Sequence, residues 1–599
     1  MQSISEKGNK KKKGVPALYE RLKNRKLEAN TKTRKTKTRK QGRKQQKSQP
    51  PSEERVKITL TRPRRDKYTP IRSSMSQKQF LGSKSPIALA NDIMFATKGV
   101  SYVPDCAIDP DIELLRYNTV LDVKKKWRHL CSEFKLRVPK ESFNRWIYAR
   151  LMLTRYNEDG CYFVGDTEHF CDPVLGSANV LDFMLLRTEL INDFPARLYL
   201  DGIDDNYCVK KCKKFANLTE KAFSQMELGE DHSLMEHFVA YNDLVKSMIE
   251  DFDADKIELL KDMSREFKSE CETFVANYID ETELFSELES FVSESITSLT
   301  QQSPSNDCVQ LLHTRVDSDH EDINRHVFKF VKGSLKEDMV VIQHCEKKSA
   351  FYISRVHYDK LKRLYEMHMN QRRNEGMKLS LRIKYDQQDL LVFVFCLMCR
   401  YSCLMDNKGW DKTNWLRGST FHSAIPQSLF SFLGTDAKCG MEMFASPFNC
   451  YFPVFCSAFP DIDQFFGSRG SGFQFVPRNG TFEANPPFAM EPMVECATRF
   501  NMWLDHAEER EDELRFIMVL PHWTEPPAPY LSIFEDSQYI KEKIIVRKGE
   551  HSYISGSQHT LTSGFQFRAA HDTVIYVLST SHSGDLKESF ESGVKRCFT

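Results

Sequence analysis

The sequence predicts an α/β body at the carboxyl end, a helical domain ahead of it and a basic tail at the amino end. Three observations carry that prediction. Residues 1–66 are crowded with Lys and Arg and hold few apolar side chains, too few for burial to offset the entropy of folding. Between about 110 and 299, apolar residues recur at helical spacing. From 439 to 578, strand-like apolar runs alternate with helical patterns, as in folds where helices cover a sheet.

The expected divisions are a disordered basic tail over 1–66, a linker over 67–110, a helical domain over 111–326 and the α/β domain over 327–599. A net charge of +2 conceals opposed segments, the basic tail and a strongly acidic stretch over 227–294. The tail carries Lys10 to Lys13 as an unbroken run, and a dense Lys/Arg stretch over 32–40. It suits a nuclear import signal or a nonspecific nucleic-acid arm, and the two are compatible. Seventeen cysteines, an odd number, with no signal-peptide pattern, lead us to expect free thiols in a reducing, intracellular and nuclear setting. Cys396 and Cys399 form a close CxxC pair inside the apolar run 390–399. No second pair matches it, so a buried helix is favoured over zinc, and ten residues are too few to span a membrane.

In chain order, a helix is expected over 112–134, with Leu115, Val120, Val123, Trp127 and Leu130 near one face. Ser142 is placed to cap the next, which carries Phe143, Trp146, Ile147 and Leu151. Further helices are expected over 233–252, 255–278 and 281–299, in an antiparallel bundle. A polar linker over 301–326 leads to paired strands at 339–344 and 350–353, then helices at 358–369 and 387–403. Within the α/β region, strands are expected at 514–520 and 562–578 and a helix at 490–507.

The helix at 490–507 follows Gly480-Thr-Phe-Glu-Ala-Asn485-Pro486-Pro487-Phe488. A strand, a tight polar turn and a helix make the usual setting for a ligand at the carboxyl end of an α/β sheet. The residue types suit methylation of an exocyclic amine on a base. Such an amine is a poor nucleophile, because its lone pair is delocalised into the ring. The Asn485 side-chain oxygen and the Pro486 carbonyl could accept its two N–H groups. The prolines fix the backbone in advance, and Phe488 offers a face for the base. A proline-rich turn with Phe488 in the core is the plainer alternative.

Seven blocks in order extend the pattern: Phe444-Ala-Ser-Pro-Phe-Asn449-Cys-Tyr-Phe452, Cys456-Ser-Ala-Phe-Pro-Asp461, Phe466-Gly-Ser-Arg-Gly470, the stretch from Gly480 to Phe488, Pro521-His-Trp523-Thr-Glu525-Pro-Pro527, Gly556-Ser-Gln558-His559 and His571-Asp-Thr573. This series resembles the cap-specific mRNA adenosine N6-methyltransferases, the phosphorylated CTD-interacting factor 1 family. The resemblance implies a Rossmann-like domain packed on a helical domain, with a basic RNA groove between them. It implies methyl transfer from S-adenosylmethionine to N6 of the first transcribed adenosine, usually 2′-O-methylated, beside a 7-methylguanosine cap. The alternatives are an adaptor that binds capped RNA or the polymerase without turnover, and a general adenine methyltransferase. Two departures stand out. Ala489, Met490 and Glu491 occupy positions where the family has a Cys and two acids. No WW domain is evident either: Trp127 and Trp146 lie in helical patterns, and Trp503 and Trp523 in the α/β region. Binding to a phosphorylated polymerase tail is therefore not expected, although RNA polymerase II remains a candidate partner.

On this resemblance Asn485, Pro486, Pro487 and Phe488 are the catalytic candidates, and Asn485 also touches the cofactor. Ser446, Pro447 and Asn449 would border its methionine end. Asp461 or Asp463 would take the ribose hydroxyls, though both also suit turn capping. Phe488 and Glu491 would face substrate. Trp523 and Glu525 pair an aromatic face with an acid, as a cationic 7-methylguanine prefers. Arg469 is a phosphate candidate, with Arg116, Lys125, Arg145 and Arg150 for the triphosphate bridge. Gln558 and His559 would be loop donors to RNA. Neither a metal nor an activating base is required, because the methylated amine is acidic enough to lose its proton to water.

Overall fold

The computed structural model describes residues 98–101, 108–134, 142–156, 162–164, 172–176, 283–302, 328–331, 339–344, 349–374, 387–405, 422–524, 527–561 and 566–598, with isolated positions elsewhere between 186 and 347. The expected tail and Glu525 lie outside the described residues. Of the helices expected over 233–252 and 255–278 only isolated positions are described, all helical.

The elements are β1 (Lys98–Val100), α1 (Pro110–Glu133), α2 (Ser142–Leu153), β2 (Thr154–Tyr156), β3 (Tyr162–Val164), α3 (Leu284–Gln302), β4 (Phe328–Val331), β5 (Met339–His344), β6 (Ala350–Ser354), α4 (Arg355–Asn374) and α5 (Gln387–Ser402). There follow α6 (Gln427–Asp436), β7 (Cys439–Ala445), β8 (Phe455–Ser457), α7 (Pro460–Asp463), β9 (Val476–Ala484), α8 (Met490–Glu509), β10 (Leu514–Pro521), α9 (Pro529–Glu535), β11 (Ile540–Val546), β12 (Ser552–Ile554), β13 (Gln566–Arg568), β14 (Thr573–Ser579) and α10 (Phe590–Phe598).

Local chemistry explains the first helix. Asp109 caps α1, its carboxylate accepting the N–H groups of Asp111 (2.8 Å) and Ile112 (3.3 Å). Pro110 then occupies the first turn, where its missing N–H costs nothing. Val120, Val123, Trp127 and Leu130 are buried as their spacing predicted. Helix α5 is buried nearly all round, with Cys396 and Cys399 as free thiols inside it. Burial pushes both thiols up.

The principal sheet has seven strands. Its main path runs β11-β14-β10-β9-β7-β8, and β1 pairs antiparallel with the start of β9. Strands β7, β8, β9 and β10 are parallel, and β14 is antiparallel to both neighbours. Alternation along the central strands divides the core. Phe516, Met518 and Leu520 face α8, packing with Phe500 and Leu504. Ile517 and Val519 face α6 and α10, packing with Leu433 and Val594. Phe500 stacks on Phe516 at 4.3 Å between centroids, and burying each such ring contributes about 1.5–3 kcal/mol.

The expected linker over 67–110, read with short ordered pieces, includes β1, a strand too short to announce itself by alternation. Two sequence expectations needed revision. The single strand expected over 562–578 is broken: β13 pairs with β12, and β14 runs in the main sheet. The paired strands at β5 and β6 gain β4 as a third.

Candidate active site

Strand β9 ends at Ala484, and Asn485 begins the turn. Facing residues of β9 alternate, with Phe482 and Ala484 in the α8-side core, so Thr481, Glu483 and Asn485 lie on the opposite side. Asn485 is 8 % exposed. Its Nδ2 donates to the Ser423 carbonyl at 2.8 Å. That bond fixes the amide's orientation and leaves Oδ1, shielded from water, without a partner. An unpaired buried acceptor costs about 1–3 kcal/mol and is therefore a site waiting for a donor.

After Asn485 the Ala489 N–H bonds the Pro487 carbonyl at 2.7 Å, turning the chain into α8. Phe488 is half-buried and meets Tyr553 (5.6 Å, 83°) and His571 (5.7 Å, 69°) edge to face. His571 in turn meets Trp523 at 6.2 Å. A continuous aromatic series thus joins the expected base platform to the expected cap-recognition tryptophan.

The pocket beside this turn is lined by Phe444 and Ala445 at the end of β7 and Asn449 after it, Ser457 at the end of β8 and Ala458 after it, and Ser471 to Phe473 ahead of β9. Asn485 and Pro487 form one wall, and Tyr148, Tyr401 and His422 another. It encloses about 690 Å³, open solvent at its mouth included. Gly472 sets one side: a Cβ there would stand 2.3 Å from the Met443 carbonyl oxygen, so only glycine lets the loop approach β7 this closely.

The other expected residues are placed as follows. Ser446 and Asn449 lock a turn, Asn449 Oδ1 accepting both the N–H (2.7 Å) and the hydroxyl (2.9 Å) of Ser446. Asn449 Nδ2 donates to the His422 carbonyl at 2.9 Å. Pro447 sits within that turn. Asp461 is buried against Arg400, which donates to it at 3.1 and 3.3 Å and to Glu113 at 2.5 and 2.9 Å. Asp463 accepts the Tyr401 hydroxyl at 2.5 Å, and burial raises its carboxyl to about 8. Neither aspartate lines the pocket, whereas Ser457, just before them, does. Arg469 is half-buried, its N–H bonded to the Phe455 carbonyl. Glu491 is exposed on the first turn of α8.

Arg116 is enclosed, paired with Glu113 (2.5 Å) and Asp172 (2.6 Å). Lys125 is exposed beside Asp122. The Arg145 and Arg150 side chains lie outside the described residues. Gln558 and His559 are 6 % and 2 % exposed. The His559 ring stacks on Phe448 at 4.0 Å, and burial holds its pKa down near 3. Ser423, Tyr148, Tyr401, His422 and Phe473 enter the pocket without having been singled out in the sequence. They reach it across long stretches of chain and carry no local signal.

Fold and site together define a class: an α/β protein with a pocket at the carboxyl ends of its parallel strands, closed by an Asn-Pro-Pro-Phe turn. Comparison with known proteins narrows it. The family model described as "Phosphorylated CTD interacting factor 1 WW domain" matches residues 360–556. Proteins of mouse and human, each named mRNA (2'-O-methyladenosine-N(6)-)-methyltransferase, are 27 % identical to this chain over 498 and 492 residues. Each alignment covers 78 % of this chain and 63 % of the relative, so the chain spans under two thirds of their length. The family resemblance carried by the seven blocks is therefore borne out. The expectation that no WW domain would be found is not, since the matching family model bears that description. The matched span begins within α4 and runs beyond β12, and it includes Trp503 and Trp523.

Proposed function

We propose that this chain is a methyltransferase acting on N6 of the adenosine that follows the cap of mRNA, with S-adenosylmethionine as donor. The observation that carries the proposal is the Asn485 carbonyl oxygen, anchored through its own amide, buried and unpaired. The parallel strands β7 to β10, followed by a sheet edge with one reversed strand, support a Rossmann-like methyltransferase domain. The pocket residues fit the donor. Gly472 permits a close backbone approach, Phe444 and Phe473 supply apolar ring surface, and Ser457 and Ser471 supply hydroxyls.

When bound, S-adenosylmethionine supplies an electrophilic methyl group. Asn485 Oδ1 accepts one N–H of the target amine. The Pro486 carbonyl, for which no backbone partner occurs among the described residues, accepts the other. These two acceptors would orient the amine and stabilise positive charge developing on its nitrogen. Phe488 carries the base on its half-exposed ring. Trp523, reached through His571, is positioned for the 7-methylguanine, whose positive ring favours an aromatic face. The basic tail supports a nuclear location and a salt-dependent hold on RNA. The WW description of the matched family supports RNA polymerase II as a further partner.

The test is transfer of labelled methyl to matched RNAs. One begins with a 7-methylguanosine cap and 2′-O-methyladenosine; the others lack the cap or begin with guanosine. Product on the capped adenosine RNA alone is expected. Equal product on uncapped RNA would reassign the chain to general adenine methylation, and capped-RNA binding without product would make it an adaptor.

A further inference from the structure

Two carboxyl groups lie beneath the Asn485 turn and take no part in the chemistry proposed above. Glu442 of β7 and Glu483 of β9 are register partners on adjacent parallel strands. Their neighbours Met441 and Phe482 share the α8-side core, so both glutamates project from the other face of the sheet. They are 2 % and 1 % exposed. Glu442 Oε1 accepts the N–H groups of Tyr451 (2.7 Å) and Phe452 (2.9 Å), and so holds the end of the turn that starts at Ser446. Glu483 stands two residues before Asn485 on the same face, and its Oε1 is buried with no hydrogen-bond partner. Two ionised carboxylates this close, in a site this dry, repel strongly and are both poorly solvated.

We propose that Glu442 and Glu483 hold one proton between them, and that this proton-linked pair clamps the Ser446 to Phe452 turn against the strand that presents Asn485. The pair is a positioning device. It fixes the distance between the pocket's β7 side and its Asn-Pro-Pro-Phe side, and loss of the proton loosens both. This inference rests on the methyltransferase reading of the pocket only for what the clamp positions.

The surroundings agree. Burial pushes both carboxyls above the ordinary range; on Glu442 the two N–H bonds and the Lys360 charge oppose it, and Glu442 adds to the rise on Glu483. The other groups facing the pair are the Cys439 and Cys450 thiols and the Tyr451 and Tyr553 hydroxyls. Burial raises all four, so none exchanges the proton near neutrality. Lys360 of α4 donates to the Phe448 (3.2 Å) and Cys450 (2.6 Å) carbonyls. The same turn is thus gripped from a second side by a cation that keeps Glu442 the more anionic member.

Two measurements on the full chain test the proposal. The first is ligand-free unfolding of the wild type, Glu483→Gln and Glu442→Gln between pH 5 and pH 9. A carboxyl whose pKa is raised by folding contributes stability that is complete below its unfolded value and lost as pH rises through its folded value. The folding constant of Glu483→Gln relative to wild type should therefore rise about tenfold per pH unit above the ordinary carboxylate range, then level off. Glu442→Gln keeps the Glu483 carboxyl and its proton, so it should lose stability alongside wild type over this range; Glu483→Met takes the place of Glu483→Gln should that variant fail to fold. A ratio of the Glu483 variant to wild type that is independent of pH would overturn the shared proton, whatever the chain catalyses.

The second measurement is the affinity for S-adenosylhomocysteine over the same range. Wild-type affinity should weaken at least tenfold from pH 6.5 to pH 9, and that of Glu483→Gln by no more than about threefold. A pH-independent wild-type affinity beside a pH-dependent unfolding ratio would overturn the clamp. No binding by any of the proteins at any pH, with the unfolding ratio as expected, would instead refute the donor pocket and leave the shared proton standing.

Discussion

Replacing Asn485 with alanine should separate catalysis from folding, because the side chain is in debt to the fold. In the native protein the amide makes one hydrogen bond, Nδ2 to the Ser423 carbonyl at 2.8 Å, worth about 1 kcal/mol net. Its Oδ1 is buried and unpaired, a penalty of about 1–3 kcal/mol. Truncation loses the first and relieves the second, so stability should stay the same or rise, by about 0–2 kcal/mol. Catalysis should behave differently. An acceptor placed where charge develops contributes about 3 kcal/mol in a dry site, so the rate of methyl transfer should fall by a factor of about 100 or more. The assay pairs single-turnover transfer at saturating donor and capped RNA with denaturant unfolding of the same preparations. Loss of more than about 3 kcal/mol of stability would show that Asn485 is structural. A rate within about fivefold of wild type would show that its oxygen does not meet the reacting amine.

Three further outcomes are expected. Arg400→Met should lower stability at pH 7 by about 3–5 kcal/mol, measured by urea unfolding, because it strands the buried Asp461 carboxylate and leaves the buried Glu113 carboxylate with Arg116 alone. Burial alone would raise the Glu113 carboxyl, but Arg116 and Arg400 bring it down to about 2 from 4.5. That stability is present above about pH 4.5 and lost as pH falls toward 2, so the gap between wild type and variant should narrow from pH 5 to pH 3; a constant gap would refute the pairing. Gly472→Ala, by forcing the loop away from the Met443 carbonyl, should weaken S-adenosylhomocysteine binding at least tenfold, and unchanged calorimetric affinity would show that the loop does not border the donor. Deleting residues 1–66 should reduce affinity for capped RNA and flatten its salt dependence while leaving the rate at saturating RNA largely intact; loss of that rate would place the tail in the chemical step.

How much of this was legible in the sequence depended on the distance over which each feature is encoded. Helix α1 was legible because its apolar stripe is contiguous. So was the passage from β9 through Asn485 into α8, where alternation gives way to two prolines and then to helical spacing. Strand β5 was found at its observed bounds for the same reason. The partners of the site were not legible. Ser423 holds Asn485 from 62 positions away, and Arg400 reaches Asp461 over 61 and Glu113 over 287. His559, in a loop composition that suggested exposure, is packed on Phe448 instead. Nothing in local periodicity distinguishes an aspartate offered to a ribose from one already committed to an arginine; only the fold decides.

Those long-range pairs also explain why the pocket has two kinds of wall. Arg400 of α5 joins Glu113 of α1 to Asp461 at the carboxyl end of β8, and the next residue, Tyr401, both lines the pocket and holds Asp463. Tyr148 of α2 lines it too and contacts His422, whose neighbour Ser423 anchors Asn485. The helices are therefore mechanically continuous with the Asn485 turn. A change in α1 or α5 that displaced Arg400 would move the side of the pocket facing β8, and through Tyr401 the side facing Asn485. In such an arrangement the parallel strands carry the Asn485 turn, and the helices set the width of the pocket beside it.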